Sequence, residues 1–262
     1  MLSIADGPWA RFPHTSLRRG PNTPPKTLAR VLARASRIPS FVAGLLMLAG
    51  FAVGPASANP SKHPPRFVPP DILTAGDVPY PINSIAAGVV TLAVNLSSAG
   101  HVTGVQTVRD LPGVTSLATG AVQTWTYSPA TLNGKPVAST LIVNVVFCSG
   151  FLPSDNIPLA PPAQFQPASP SAAAFAPPQL VSATFAPYPP NSIGVGAVVL
   201  DVTIDSTGNV AGVATIRDVP SLTASALGAL RNWSFSQATF KDNAIASHMV
   251  VAFVFRSPST SP

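Results

Sequence analysis

The sequence contains no glutamate: all nine acidic residues among its 262 are aspartates. Charge of either sign is scarce, at 9% of residues against roughly 25% in an average soluble domain. The formal net charge of +6 has a single source. Residues 1–40 carry seven basic side chains (Arg11, Arg18, Arg19, Lys26, Arg30, Arg34, Arg37) against one acid, Asp6, while residues 59–262 hold eight of each sign and sum to zero. A nucleic-acid interface needs a basic face on the folded part of a chain. The charge distribution supplies none, and nucleic acid is excluded as a partner. Cysteine occurs once, as Cys148, which excludes an internal disulfide and a multi-cysteine metal site. Cys148 reads as a small residue at a strand end, with a thiol for intermolecular pairing as the other reading. Proline is plentiful instead, with 31 residues, so part of the chain is expected to lack regular structure.

Catalytic machinery is also missing. The four histidines are His14, His63, His101 and His248. No Ser/His/Asp set, H-E-x-x-H pair or phosphate-binding loop accompanies them. The sequence points to no enzyme, no cofactor and no metal.

At the N-terminus, Phe41–Val53 is a run of thirteen uncharged residues, preceded by Arg30, Arg34 and Arg37 and followed by Ala56-Ser57-Ala58. A positive flank, a short apolar stretch and a small-residue cleavage site make a secretory signal. A spanning helix needs about 20 apolar residues, so an uncleaved inner-membrane anchor is the second reading. The mature chain is expected to begin near Asn59. Pro60, Pro64, Pro65, Pro69 and Pro70 then form an extended spacer.

The rest is duplicated. Tyr80-Pro81 recurs as Tyr188-Pro189, 108 residues on, and the offset holds without a gap to Phe147 and Phe255, with nearly half the positions identical. Asn83-Ser84-Ile85, Gly88, Gly100, Arg109-Asp110, Pro112, Trp125 and Ala130-Thr131 all recur. In each copy an alternating segment (Val90, Leu92, Val94, Leu96; Val198, Leu200, Val202, Ile204) reads as a strand with one buried face. A glycine turn at Gly100 or Gly208 follows. A second strand is predicted over 102–109 and 210–217, its alternation interrupted near Gly104 and Gly212 as at a bulge. Leu117, Ala118, Ala121, Val122 and Trp125 have helical spacing, as do Leu222, Ala226, Ala229, Leu230 and Trp233, with Ser221 as the expected N-cap. A last strand places Leu141, Val143, Val145 and Phe147, or Met249, Val251, Phe253 and Phe255, on one face. Each Arg-Asp pair is adjacent on a strand and so faces opposite ways; the arginine is expected in solvent and the aspartate on the turn before Pro112 or Pro220.

The predicted fold class is α+β: two tandem small two-layer domains, each a three-stranded antiparallel sheet packed by one helix. The chain divides into an N-terminal extension with signal or anchor (1–58), a Pro-rich spacer (59–70), repeat 1 (71–148), a Pro/Ala-rich linker (149–179), repeat 2 (180–256) and a tail (257–262). A core of about 70 residues rarely supplies more than roughly 3–5 kcal/mol. The far face of the last strand is also apolar (Ile142, Val146; Val250, Val254). Either the two repeats or a partner strand is expected to cover it.

These motifs carry a family resemblance. Tyr80-Pro81, Gly88, Gly100-His101-Val102, Ala118, Ala121, Trp125-Thr126-Tyr127 and Val143–Phe147, with Tyr188-Pro189, Gly196, Gly208-Asn209-Val210, Ala226, Ala229, Trp233-Ser234-Phe235 and Val251–Phe255, resemble the C-terminal domain of TonB-type energy transducers. Copy 2 departs in one loop, where Asn133-Gly134-Lys135-Pro136-Val137 becomes Lys241-Asp242-Asn243-Ala244-Ile245 and Pro129 becomes Gln237, which predicts a differently built turn. The resemblance implies a periplasmic protein-binding module that engages outer-membrane receptors or other envelope proteins in transmembrane transport, by β-strand addition. The last strand is the expected edge, with Ile142, Asn144 and Val146, and Val250, Ala252 and Val254, as the partner-binding residues. Tyr80, Pro81, Gly88, Gly100 and Trp125, with Tyr188, Pro189, Gly196, Gly208 and Trp233, are expected to be structural. The transducers' membrane helix carries a histidine that Phe41–Val53 lacks. Two alternatives stay open: a structural envelope protein whose repeats pack on each other, with self-association, and a membrane-anchored transducer if the apolar segment is retained.

Overall fold

The computed structural model of the protein describes residues 66–81, 83–148, 156–169 and 172–256. The signal, anchor and tail readings lie outside the described residues. The first copy runs through β1 (Phe67–Val68), β2 (Asp71–Thr74), β3 (Gly88–Leu96), β4 (Val102–Arg109), α1 (Thr115–Thr124), β5 (Thr126–Ser128), β6 (Ala130–Leu132), β7 (Lys135–Val137) and β8 (Ser139–Cys148). The second runs through β9 (Phe175–Ala176), β10 (Leu180–Ser182), β11 (Gly196–Ile204), β12 (Val210–Arg217), α2 (Thr223–Leu230), β13 (Ser234–Phe235), β14 (Ala238–Phe240), β15 (Asn243–Ile245) and β16 (Ser247–Phe255). The fold is α+β.

The expected ladders form, and the predicted bulges fall next to Gly104 and Gly212. They do not form two separate sheets, however. One six-stranded sheet has the order β12-β11-β16-β8-β3-β4. The two last strands meet at its centre as a parallel pair, Val250 opposite Val143 through Phe255 opposite Cys148. Partners in this pair are 107 residues apart, although the repeat is 108. Side chains of paired residues share a face and successive residues alternate, so the stagger sends equivalent residues to opposite faces. The copies are therefore related by an approximate twofold along the strands. Helix α1 packs on one face with Leu92, Val94, Val143 and Phe147; α2 packs on the other with Leu200, Val202, Met249 and Phe253.

That arrangement explains why the last strands are apolar on both sides. Each copy's bare face needs a cover, and the segment leading into the other copy provides it. Ile72 and Val78, on a strap spanning 71–78, join the core that holds Ala197, Val199, Val250, Ala252 and Val254 of copy 2. The equivalent strap, with Leu180, Ala183, Phe185 and Ala186, joins the core that holds Val89, Ala93, Ile142 and Val146 of copy 1. The linker contributes to the second cover: Ile157 is buried there, its N–H donating to the Ala183 carbonyl at 2.8 Å. A third cluster brings Phe67 and Leu132 of copy 1 against Phe175, Ala238 and Phe240 of copy 2. Phe67 stacks on Phe240 with centroids 4.6 Å apart and tilts against Phe175 at 4.8 Å.

Local details correct two expectations. Ser221 does not cap α2, which begins at Thr223 without a side-chain N-cap bond. Instead the Thr223 hydroxyl accepts from Val219 N–H and donates to its carbonyl, as Thr115 does with Leu111. Nor are the two divergent hairpin turns built differently. Asn133 and Gly134 have φ of 53° and 78°, and Lys241 and Asp242 have 50° and 64°. Both are two-residue turns with two left-handed residues, the geometry that matches strand twist and favours Asn-Gly. Copy 2 holds this shape with residues that resist it. Asp242→Gly is expected to stabilise the protein by about 1 kcal/mol, read as a higher urea midpoint at unchanged slope.

Candidate partner-binding surface

The residues expected to bind a partner occupy the seam. Ile142, Asn144, Val146, Val250, Ala252 and Val254 are all fully buried. β8 is paired with β3 on one side and β16 on the other, and β16 with β11 and β8. The last strands are thus interior strands and not an edge, because each fills the other's open side. Asn144 serves a buried polar chain: Thr91 Oγ1 donates to its Oδ1 at 2.8 Å, and its amide reaches Met249 Sδ at 3.0 Å.

Arg109, expected in solvent, heads that chain. It is buried and donates to the Ala160 carbonyl at 2.9 Å, the Leu180 carbonyl at 2.9 Å and Thr91 Oγ1 at 3.3 Å. Its side lies under the linker and the copy 2 strap, which strand alternation alone does not reveal; burial lowers its pKa. Arg217 instead pairs with Asp77 of the copy 1 strap at 3.3 Å. Asp77 also accepts from Ala197 N–H at 2.8 Å. Asp218 accepts from the Thr223 hydroxyl at the start of α2, beyond Pro220, and not on the turn before it.

The structural residues sit as architecture. Tyr80 donates to the Ala86 carbonyl and meets the Phe147 ring edge-on at 5.1 Å; Tyr188 donates to the Gly194 carbonyl at 2.8 Å. Each tyrosine is followed by the proline, Pro81 or Pro189, that leads toward Gly88 or Gly196. Trp125 and Trp233 are buried, and the Trp233 Nε1 donates to the Thr184 carbonyl at 3.0 Å. Gly100 has φ +82°, and a Cβ there would lie 2.4 Å from the Tyr127 carbonyl; Gly208 repeats this against Phe235 at 2.8 Å. Only glycine fits such a turn.

With β8 and β16 interior, the sheet has two outer strands. β4 is partly closed by the linker: Ala163 N–H donates to the Val108 carbonyl at 2.8 Å, and Gln106 exchanges two bonds with the Gln166 backbone at 2.7 and 2.8 Å. β12 has β11 as its only strand neighbour among the described residues. Most of β12 is exposed, including Val210 and Val213. Cys148 is buried, and its thiol is pushed up to about 12 by that burial.

The family of proteins to which this chain is similar accords with this geometry. The family model described as the Gram-negative bacterial TonB protein C-terminal matches residues 79–148 and 194–257, which together make 134 of 262 residues. The chain belongs to the TonB C-terminal family. No curated protein and no solved structure matches it. The TonB C-terminal domain is a non-enzymatic, transport-associated domain of the cell envelope that interacts with outer-membrane receptors in general. Here it occurs twice. Among the described residues no helix is long and apolar enough to cross a membrane.

Proposed function

We propose that this TonB-family chain is a periplasmic protein-binding module that takes an extended segment of an outer-membrane receptor or other envelope protein by strand addition at β12. The observation that carries this reading is the asymmetry of the sheet's margins. The last strands are consumed by each other, β4 is partly closed by the chain's own linker, and β12 has no strand but β11 paired with it among the described residues. An open strand presents a row of unpaired backbone donors and acceptors, so affinity would come from the backbone and selectivity from flanking side chains such as Val210 and Val213. Because Cys148 is buried with a raised thiol pKa, Val213→Cys provides one reactive thiol. Labelled with a photocrosslinker in the envelope fraction, this variant is expected to capture an outer-membrane receptor, whereas Gln106→Cys on β4 captures none. Equal products from the two strands would remove β12 as the binding edge.

The parallel seam and the exchanged straps favour a second reading, a structural envelope protein whose repeats serve mainly each other. Recovery of only the protein itself from the Val213→Cys reaction would select it.

A further inference from the structure

The two straps are equivalent in path but differ in charge. Asp71, at the start of the copy 1 strap, meets Asp201 of β11 and His248 of β16 on the bare face of copy 2. The imidazole Nδ1 lies 2.9 Å from Asp201 Oδ2, 3.2 Å from Asp201 Oδ1 and 3.9 Å from Asp71 Oδ1. Asp201 is buried, while Asp71 and His248 are partly exposed. At the matching positions of the other strap stand Gln179, Ala93 and Thr140, so the fold itself does not require the trio. The strap's other polar hold is Asp77 on Arg217 and Ala197 N–H, and its apolar anchors are Ile72 and Val78.

We infer that His248, whose Nδ1 faces both Asp71 and Asp201, is a pH-sensitive latch that holds the 71–78 strap over the bare face of copy 2 and loosens it as pH rises. With a protonated ring, one cation offsets two neighbouring carboxyl groups. With a neutral ring, two carboxylates face each other at a half-buried site and repel. The charges acting on the ring are Asp201 from β11 and Asp71 from the strap. Its pKa is raised, first by the Asp201 hydrogen bond and against desolvation. A histidine raised above its unfolded value of about 6.5 contributes its full hold below that value and loses it as pH climbs through the folded pKa. Asp71 is raised as well, by desolvation and then by Asp201. Once ionised, it weighs against the closed strap, so both groups act in the same direction. The face uncovered would be that of Val199, Val250, Ala252 and Val254, which a partner could then reach.

Hydrogen exchange of the full chain, corrected for intrinsic rates and followed from pH 5.5 to 8.5, tests the latch. Opening at residues 71–74 is expected to rise about tenfold across the range, while the equivalent residues 179–182 stay level as an internal control. His248→Thr, which installs the copy 1 residue, should flatten the profile at the loose end. Asp71→Asn should flatten it toward the closed end, since the repulsion is gone. Identical profiles for the two straps, or an unchanged profile in both variants, would overturn the latch. So would a profile abolished by EDTA, which would make a bound cation the holder.

Discussion

A chain cut after Cys148 is expected not to persist as a folded monomer. Copy 1 alone would retain α1 and the face beneath it, but β8 would lose its pairing with β16 over Val143–Cys148. Its other face, with Val89, Ala93, Ile142 and Val146, would lose Leu180, Phe185 and Ala186. Arg109 would lose the Ala160 and Leu180 carbonyls, leaving a guanidinium with donors unpaired. A core of this size supplies roughly 3–5 kcal/mol when complete. With one side open, the balance falls to zero or below. Gel filtration and circular dichroism of residues 66–148 should show either an unfolded chain or an associated one, in which two copies of β8 pair. A monomer unfolding cooperatively near the full chain's midpoint would refute the reciprocal cover described above.

The second large effect is expected at Phe253. Its ring is fully buried, 5.3 Å from Trp233 and 6.5 Å from Phe255 by centroid, with Val146 of the other copy as its seam partner. Phe253→Ala removes the ring from the α2 core and from the seam together. Phenylalanine truncations in packed cores cost about 3–5 kcal/mol, a large part of the 5–15 kcal/mol that holds an ordinary protein folded. Urea unfolding should show a midpoint lowered by at least about a fifth. Phe255→Ala, one strand position pair nearer the end of β16, provides a second measurement of the same core. If Phe253→Ala cost under 1 kcal/mol, α2 would not be packed as described.

The strands and helices of each copy were readable because each has a period of its own, and β4 and β12 begin and end where alternation and turn chemistry place them. The joining of the copies was only half readable. Val146 and Val254 announced that the far face must be covered, yet alternation along one strand says nothing about which strand lies beside it. The parallel seam follows from the geometry of the twofold, a property of the pair. Arg109 was misplaced for the same reason: an outward position on a lone sheet faces water, but this one lies beneath another copy's strap. The sequence carries a further sign of this arrangement. Phe67-Val68-Pro69-Pro70 recurs at the same 108-residue offset as Phe175-Ala176-Pro177-Pro178. It extends the duplication upstream of Tyr80, into residues read as spacer and linker, and includes Phe67 and Phe175 of the third cluster. His248 has Thr140 as its counterpart, and that difference helps make the two straps unequal.

The seam also governs how the chain can reach its final state. The centre of the sheet is made by residues 107 apart, and β16 ends only at Phe255, close to the end of the sequence. Pairings of such long sequence separation close large loops before any contact repays them, and they fold slowly. Copy 1 is therefore complete in sequence long before it can be complete in structure. During that interval β8 offers an apolar strand open on one side, the kind of species that associates with other chains. Folding should accordingly show a phase that slows little with dilution in dilute protein and gives way to association as concentration rises.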